Sequence, residues 1–286
     1  TAYEIASCLV GSEMCIRDRI KKGLVNNQNE IVNDHIAFRT MGVKNLGINS
    51  FEKIFLKHGY KKMDFYHFNA KKLDAFWYAP PSNDLPRIFI SELKVDNLSI
   101  KAQEIIKSYT NTVTNDPVDK IDLNNSLQVS EYLQTPLWRL PTKNDYESLL
   151  FESEYAAWVI YNRYYLNHYT ISVHDLPGEY SDLNQFNEFV KSLGIKLNKS
   201  GGEIKVSKDK LLRQSSSVAN QIEAKFSEGE KKLIAGSYVE FAERNILPEF
   251  SKINNLKIER KHRREGFETG NADKIFESTF TSQINN

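Results

Sequence analysis

Two stretches decide how this chain folds: Asn33-Asp-His-Ile-Ala-Phe-Arg-Thr40 and Asn167-His-Tyr-Thr-Ile-Ser-Val-His174. Both alternate as half-buried strands do, with successive side chains on opposite faces. In the first, His35, Ala37 and Arg39 share one face and Ile36 and Phe38 the other. In the second, His168, Thr170, Ser172 and His174 share a face. Each histidine follows an Asp or Asn near the start of its strand: Asp34 before His35, Asn167 before His168.

The surroundings of the two stretches also correspond. After the first, Asn49 or Ser50 can cap a helix through His58, with Phe51, Ile54, Phe55 and Leu56 on its apolar side and Gly59 ending it. Strand-like runs follow at 60–68, 73–79 and 87–95, with Pro80, Pro81 and Pro86 breaking the chain between the last two. After the second, residues 181–193 read as a helix that ends at Gly194. Strand-like runs follow at 203–206, 211–218 and 222–226, and another from Ser237 to Arg244. The order strand, helix, strand, strand, strand occurs twice, the mark of an internal repeat. Between the copies, 99–110 and 143–161 read as helices flanking a polar loop, 111–125. The expected fold is α+β: tandem βαβββ modules forming one cupped mixed sheet, with a helical insert between them. Such a sheet can set the two first strands side by side and bring His35 and His168 together.

Two converging histidines suggest a metal, because neutral imidazole suits iron, zinc, copper and nickel. Two histidines and one carboxylate leave three positions open, the arrangement of non-haem Fe(II) oxygenases. The carboxylate should come from a late strand on the same face. In Tyr238-Val-Glu-Phe-Ala-Glu-Arg244, Glu240, Ala242 and Arg244 share a face and Glu243 points away, so Glu240 is the expected third ligand and Glu243 the fallback. Glu92, late in the first half, could add a fourth ligand and make a glyoxalase-like Lewis-acid site. Of the other histidines, His174 lies too far along its strand and reads as a loop or supporting residue. His58 and His67 read as surface residues, and His262 as part of a solvated basic run, 257–264.

Composition bounds the remaining possibilities. Hydrophobic residues make up 40% of the 286 and charged residues 26%, as in ordinary globular chains. A formal net charge of +1 favours neither nucleic acid nor an anionic membrane. No run of about 18 apolar residues is present to span a bilayer. Both cysteines, Cys8 and Cys15, fall in Ser7-Cys-Leu-Val-Gly-Ser-Glu-Met-Cys-Ile-Arg-Asp-Arg19. That string is similar to translated sequencing-adapter read-through. Residues 1–19 are therefore expected to be an artefact or disordered and the natural start to be missing. Without them the chain has no cysteine, and a cytoplasmic location is expected.

Several stretches together resemble one family. They are Asp34–Thr40, Pro86–Leu93, Ser153-Glu-Tyr-Ala-Ala-Trp158, Asn167–Thr170, Leu211-Leu-Arg-Gln-Ser-Ser216, Gly236–Arg244 and Asn271-Ala-Asp-Lys-Ile-Phe-Glu-Ser-Thr279. In this order they resemble the short form of the iron-dependent 2-oxoadipate dioxygenase/decarboxylase family of the vicinal oxygen chelate superfamily, over about residues 30 to 280. The resemblance implies one Fe(II) as cofactor and conversion of 2-oxoadipate and dioxygen to 2-hydroxyglutarate and carbon dioxide. It also implies a role in lysine breakdown. By position it makes His35, His168 and Glu240 the metal ligands and Arg39 the arginine that binds the substrate carboxylate. Gly270 and Asn271 fall where the family contacts substrate.

Arg39, four residues from His35 on the same face, can grip a carboxylate with two parallel hydrogen bonds. Arg213, Gln214 and Ser216 form a polar group that could orient substrate or ligands. Arg244, on Glu240's face, could pair with a carboxylate. The expectation is a single catalytic domain over 20–286, with modules at about 30–98 and 167–280 and the insert at about 99–166. No nucleic-acid or membrane partner is expected. The rival readings are another metalloenzyme on the same scaffold, an extradiol dioxygenase or glyoxalase-like isomerase, and a metal-free binding protein of the same fold.

Overall fold

The first quoted stretch forms β1 (Asn33–Met41) and the second β5 (Leu166–Ser172), and nearly every residue of both is buried. In a computed structural model, residues 31–253 and 257–285 are described here; the expectation for residues 1–19 lies outside them. Burial on both faces shows that each strand is covered on two sides, unlike a solvent-facing strand.

An eight-stranded sheet curls into a half-barrel around these two central strands. The strands are β2 (Lys61–Phe68), β3 (Leu73–Ala79), β4 (Arg87–Leu93), β6 (Lys205–Val206), β7 (Leu212–Ser216) and β10 (Tyr238–Arg244) with β1 and β5, in the order β2-β3-β4-β1-β5-β10-β7-β6. β1 and β5 are antiparallel, with His35 opposite Thr170 and Ala37 opposite His168. β4 runs parallel to β1, and β10 runs parallel to β5. The register is symmetric: each histidine faces the residue two beyond the other, as a local two-fold between β1 and β5 requires.

Helices cover the convex face. In α1 (Ile48–Lys57), Phe51 and Phe55 pack on Phe38 with ring centroids 4.9 and 5.7 Å away. In α6 (Leu183–Ser192), Phe186 packs on Phe241 of β10 at 5.0 Å. α1 begins two or three residues earlier than an Asn49 or Ser50 cap predicts, with Gly47 at the cap position. The Glu92 carboxylate instead accepts a hydrogen bond from Ile48 N at 2.7 Å. Gly47 leads in with φ +85°, and a Cβ there would sit 2.1 Å from Glu92 Oε2, so only glycine fits.

The insert holds α2 (Ile100–Thr110), α3 (Ser126–Gln134), α4 (Lys143–Glu152) and α5 (Glu154–Asn162). The single helix expected over 143–161 is two, because Ser153 is extended (φ −150°) and caps α5 by accepting from Ala156 N. α3 was not expected: its buried Val129, Tyr132 and Leu133 are too few to give a clear period. In the second half, 222–226 leaves the main sheet. β8 (Gln221–Lys225) pairs only with β9 (Lys231–Ala235), and the third flanking strand of this half is β10. The concave face is closed by the C-terminal segment: Phe267, α7 (Thr269–Ile275) and the turn Phe276–Thr279. Among the described residues, no helix is long and apolar enough to cross a membrane.

Candidate metal centre

Strand parity places His35, His168 and Glu240 on the concave face, and the two-fold brings them together. His35 Nε2 and His168 Nε2 lie 3.3 and 3.1 Å from the same atom, Glu240 Oε2. The three donor atoms fall within 4.8 Å of one another and all three residues are buried. A cavity of about 20 Å³ opens beside them, lined by Phe89, Gln214, Tyr238, Phe267, Ile275 and Phe276 among others.

Both imidazoles are oriented by the residue just before them. His35 Nδ1 donates to Asp34 Oδ1 at 2.8 Å, since a carboxylate can only accept, and His168 Nδ1 meets Asn167 Oδ1 at 3.0 Å. With Nδ1–H committed outward, each Nε2 turns a lone pair toward the Glu240 carboxylate. Three lone-pair atoms meeting in a buried space repel one another unless a metal ion or a proton lies among them. Carboxylates and second-row hydrogen bonds of this kind are the usual support for metal-bound imidazole. The donor set therefore fits a divalent transition metal.

The electrostatics of the metal-free triad agree. Burial pulls His168 down to about 4 despite Glu240 beside it. Burial also pushes His35 down, but Glu240 and Asp34 outweigh it, and its pKa is raised. Burial alone would raise Glu240, yet the two histidines bring it to about 2. One positive charge beside the carboxylate is thus favoured even without a metal. Rings complete the packing: Tyr238 stacks on His168 at 4.5 Å, and Phe267 meets His35 edge-on at 4.7 Å. Thr170 Oγ1 lies 2.9 Å from His35 Nε2. Thr170 was legible as a face-mate of His168 and Tyr238 as one of Glu240, but neither is a ligand type, so residue chemistry did not single them out.

Arg39 is buried at the far end of the same strand face. Its guanidinium donates to Thr279 Oγ1 at 3.0 Å and to the Phe276 carbonyl at 3.1 Å, and its Nε makes no hydrogen bond. The rings of Tyr155, Trp158 and Phe276 surround it within 4.9 to 5.6 Å. Among the described residues, no carboxylate lies within ion-pair distance of Arg39. Burial lowers its pKa, and Tyr238 and Tyr155 partly offset this.

Other expectations need correcting. Arg213 is on the opposite face of β7, where it binds Glu243 at 2.8 Å and Asp182 at 3.1 Å; one residue from Gln214, it takes the other parity. Glu243 accepts from Arg213 and Leu183 N, away from the histidines. Glu92, tied to α1, faces the helices and cannot be a fourth ligand. The two-fold shows what stands in that role: Glu240 pairs with Thr170, two beyond His168, and the corresponding residue two beyond His35, Ala37, pairs with Phe89. Gly270 is exposed at the start of α7 and does not line the cavity. Gln214 does line it, and Asn271 lies behind Gln214, 2.9 Å from it. Ser216 reaches Ser278 of the C-terminal segment at 2.9 Å rather than the histidines.

His174 Nδ1 accepts from Arg244 N at 3.1 Å, and burial lowers its pKa to about 4. His67 is exposed and paired with Asp74, and His58 is half-buried at the end of α1. His262 is buried, not solvated: its Nδ1 accepts from Glu259 N in a tight turn. The neighbouring Arg260, Arg263 and Arg264 donate to backbone carbonyls, which binds this basic run to the fold. Arg244 makes a two-pronged pair with Asp34, at 2.6 and 2.9 Å.

Comparison with known proteins points the same way. The family model for 2-oxoadipate dioxygenase/decarboxylase matches residues 7–253. The chloroplastic 2-oxoadipate dioxygenase/decarboxylase of Arabidopsis thaliana is 46% identical over 262 residues, covering 88% of this chain and 69% of that protein. The chloroplastic/amyloplastic protein of that name from Oryza sativa is 45% identical, covering 88% of this chain and 70% of its own length. The crystal structure of hydroxyglutarate synthase from Oryza sativa in complex with 2-oxoadipate superposes with a TM-score of 0.89 at 40% identity, covering 99% of this chain and 93% of that one. The chain belongs to the 2-oxoadipate dioxygenase/decarboxylase family.

Proposed function

We propose that this enzyme converts 2-oxoadipate and dioxygen to 2-hydroxyglutarate and carbon dioxide, with Fe(II) held by His35, His168 and Glu240. The observation that carries the reading is the convergence of both Nε2 atoms on one Glu240 oxygen, at 3.3 and 3.1 Å, in a buried space. When bound, iron supplies the electrons that activate dioxygen, and three positions not taken by protein match a chelating 2-oxo acid plus dioxygen.

The chain's own residues do the rest. Asp34 and Asn167 hold the imidazoles with Nε2 inward. Arg39, on the β1 face that carries His35, offers a guanidinium that donates to the Thr279 hydroxyl and the Phe276 carbonyl and forms no ion pair among the described residues. A carboxylate at the far end of the substrate would satisfy its charge. Phe89, Phe267 and Phe276 line the cavity with apolar rings that exclude water from the reacting end. Phe89 at the position related to Glu240 argues against a four-ligand Lewis-acid site on this scaffold.

The test is anaerobic reconstitution with Fe(II), followed by 2-oxoadipate in air-saturated buffer. Oxygen uptake, carbon dioxide release and 2-hydroxyglutarate should appear in equal amounts. His35→Ala and His168→Ala should lose both bound iron and turnover. Full turnover by either variant, or by iron-free enzyme, would refute the assignment.

A further inference from the structure

The two oxygens of Glu240 have different surroundings. Oε2 faces the imidazoles, whereas Oε1 accepts a hydrogen bond from Gln214 Nε2 at 2.6 Å. Gln214 lies opposite Ala242, so it rises on the same sheet face as Glu240. Its other amide atom, Oε1, accepts from Asn271 Nδ2 at 2.9 Å. The same Asn271 nitrogen faces the carbonyls of Lys205 and Leu212, at 3.4 and 3.5 Å. Glu240, Gln214 and Asn271 are 1%, 2% and 3% exposed, so water cannot substitute for these partners.

The polarity of this relay is forced from its far end. Backbone carbonyls only accept, so Asn271 must turn its N–H groups toward them. Gln214 must then give its oxygen to Asn271, which leaves its N–H for Glu240. Neither amide can flip without setting oxygen against oxygen in a buried site.

We propose that Gln214 and Asn271 are positioning residues that hold Glu240 so that one oxygen alone faces the metal; this rests on the metal-site reading above. A carboxylate bound through one oxygen takes one position and leaves three with the histidine pair. Bound through both, it would leave two, too few for a chelating 2-oxo acid and dioxygen together. Asn271 also belongs to α7, which roofs the cavity, so the relay joins the roof to the ligand.

The test uses metal-free enzyme titrated with Co(II), with the dissociation constant read from the visible spectrum. Gln214→Met and Asn271→Leu keep approximate size and remove the amide. Each should weaken Co(II) binding by about 10- to 100-fold, the usual effect of losing such support. In the Gln214→Met background, Asn271→Leu should add less than about twofold, because Asn271 acts through Gln214. Co(II) binding within about twofold of wild type in both single variants would overturn the proposal. So would an equal loss from Asn271→Leu in either background. Thermal unfolding of each metal-free variant checks folding. If Gln214→Met does not fold, Asn271→Leu and Asn271→Asp decide: both should weaken Co(II) binding, and wild-type affinity in both refutes the relay. His35→Ala separates the two readings. If it retains Co(II) at wild-type strength, the metal site itself is wrong; if it loses Co(II) while the relay variants do not, only the relay is wrong.

Discussion

At the residue scale, two buried cations make different predictions. Arg39 has no carboxylate partner of its own among the described residues, and the role proposed for it is to bind a substrate carboxylate. Arg39→Met should raise KM for 2-oxoadipate by about 10- to 100-fold, given about 1.5–3 kcal/mol for a hydrogen bond to a charged group. The same variant should change KM for a 2-oxo monocarboxylate of equal length by less than about threefold. Steady-state oxygen uptake with both acids decides this; equal losses on both would show that Arg39 only supports the fold. Lys205 is buried on β6, and its Nζ donates to the Asn198 carbonyl at 2.7 Å. Burial brings its pKa to about 8. Between about pH 8 and the unfolded lysine value of ~10.4, the unfolded chain holds the extra proton, so stability rises with pH there. Urea unfolding at pH 7 to 10 should show that rise, and Lys205→Met should flatten it; an unchanged slope would count against the account. The histidine pair, Glu240 and Arg39 were legible because strand alternation gives each side chain a face. Arg213 was misplaced where only its neighbourhood to Gln214, and not its parity, was used. The partner of an acidic residue such as Glu92 depends on which element packs over that face, which alternation does not reveal.

At the element scale, strands with long alternating runs were legible to within one or two residues, as β1 and β5 show. Short elements were not. β9 is five residues rich in lysine, and the α4–α5 break depends on one serine leaving helical geometry. The hairpin β8–β9 has the same alternation as a sheet strand, and only pairing partners distinguish the two. The C-terminal segment carries the functional prediction at this scale. It narrows the cavity beside the triad to about 20 Å³, room for about one water-sized group. Residues 267–279, which line that cavity, are the segment expected to shift when substrate enters. Amide exchange in this segment should be faster than in β1, β5 and β10, and should slow when 2-oxoadipate is added to the metal-loaded enzyme without oxygen. Exchange as slow as in the central strands, with and without substrate, would show that access lies elsewhere.

At the scale of the whole molecule, one buried carboxylate holds the two halves together. Asp34 of β1 accepts from Arg244 of β10 at 2.6 and 2.9 Å and from Arg87 of β4 at 3.2 Å. Burial would raise its pKa, but Arg244 and Arg87 hold it well below the usual carboxylate range. Asp34→Asn strips the countercharge from a buried Arg244 and should cost about 3–5 kcal/mol of stability. Arg87 also donates to Glu265 at 2.8 Å and Arg244 to the carbonyls of Arg264 and Gly266 at 3.0 and 2.7 Å; a loss below about 1 kcal/mol in urea unfolding would show that these partners suffice.

The same two-fold symmetry gives Phe89 its meaning. Two copies of one unit, related by an axis between β1 and β5, offer two histidine positions and two late-strand positions. The histidines are kept in both copies, while the late strand supplies Glu240 in one and Phe89 in the other. Acidic residues at both late positions would offer four ligands to an ion and leave two positions of an octahedron open. Phe89 offers no donor atom, so the first copy leaves that ligand out and one more position stays open. Asymmetry between the two copies thus sets how many positions an ion held here would keep free for small molecules.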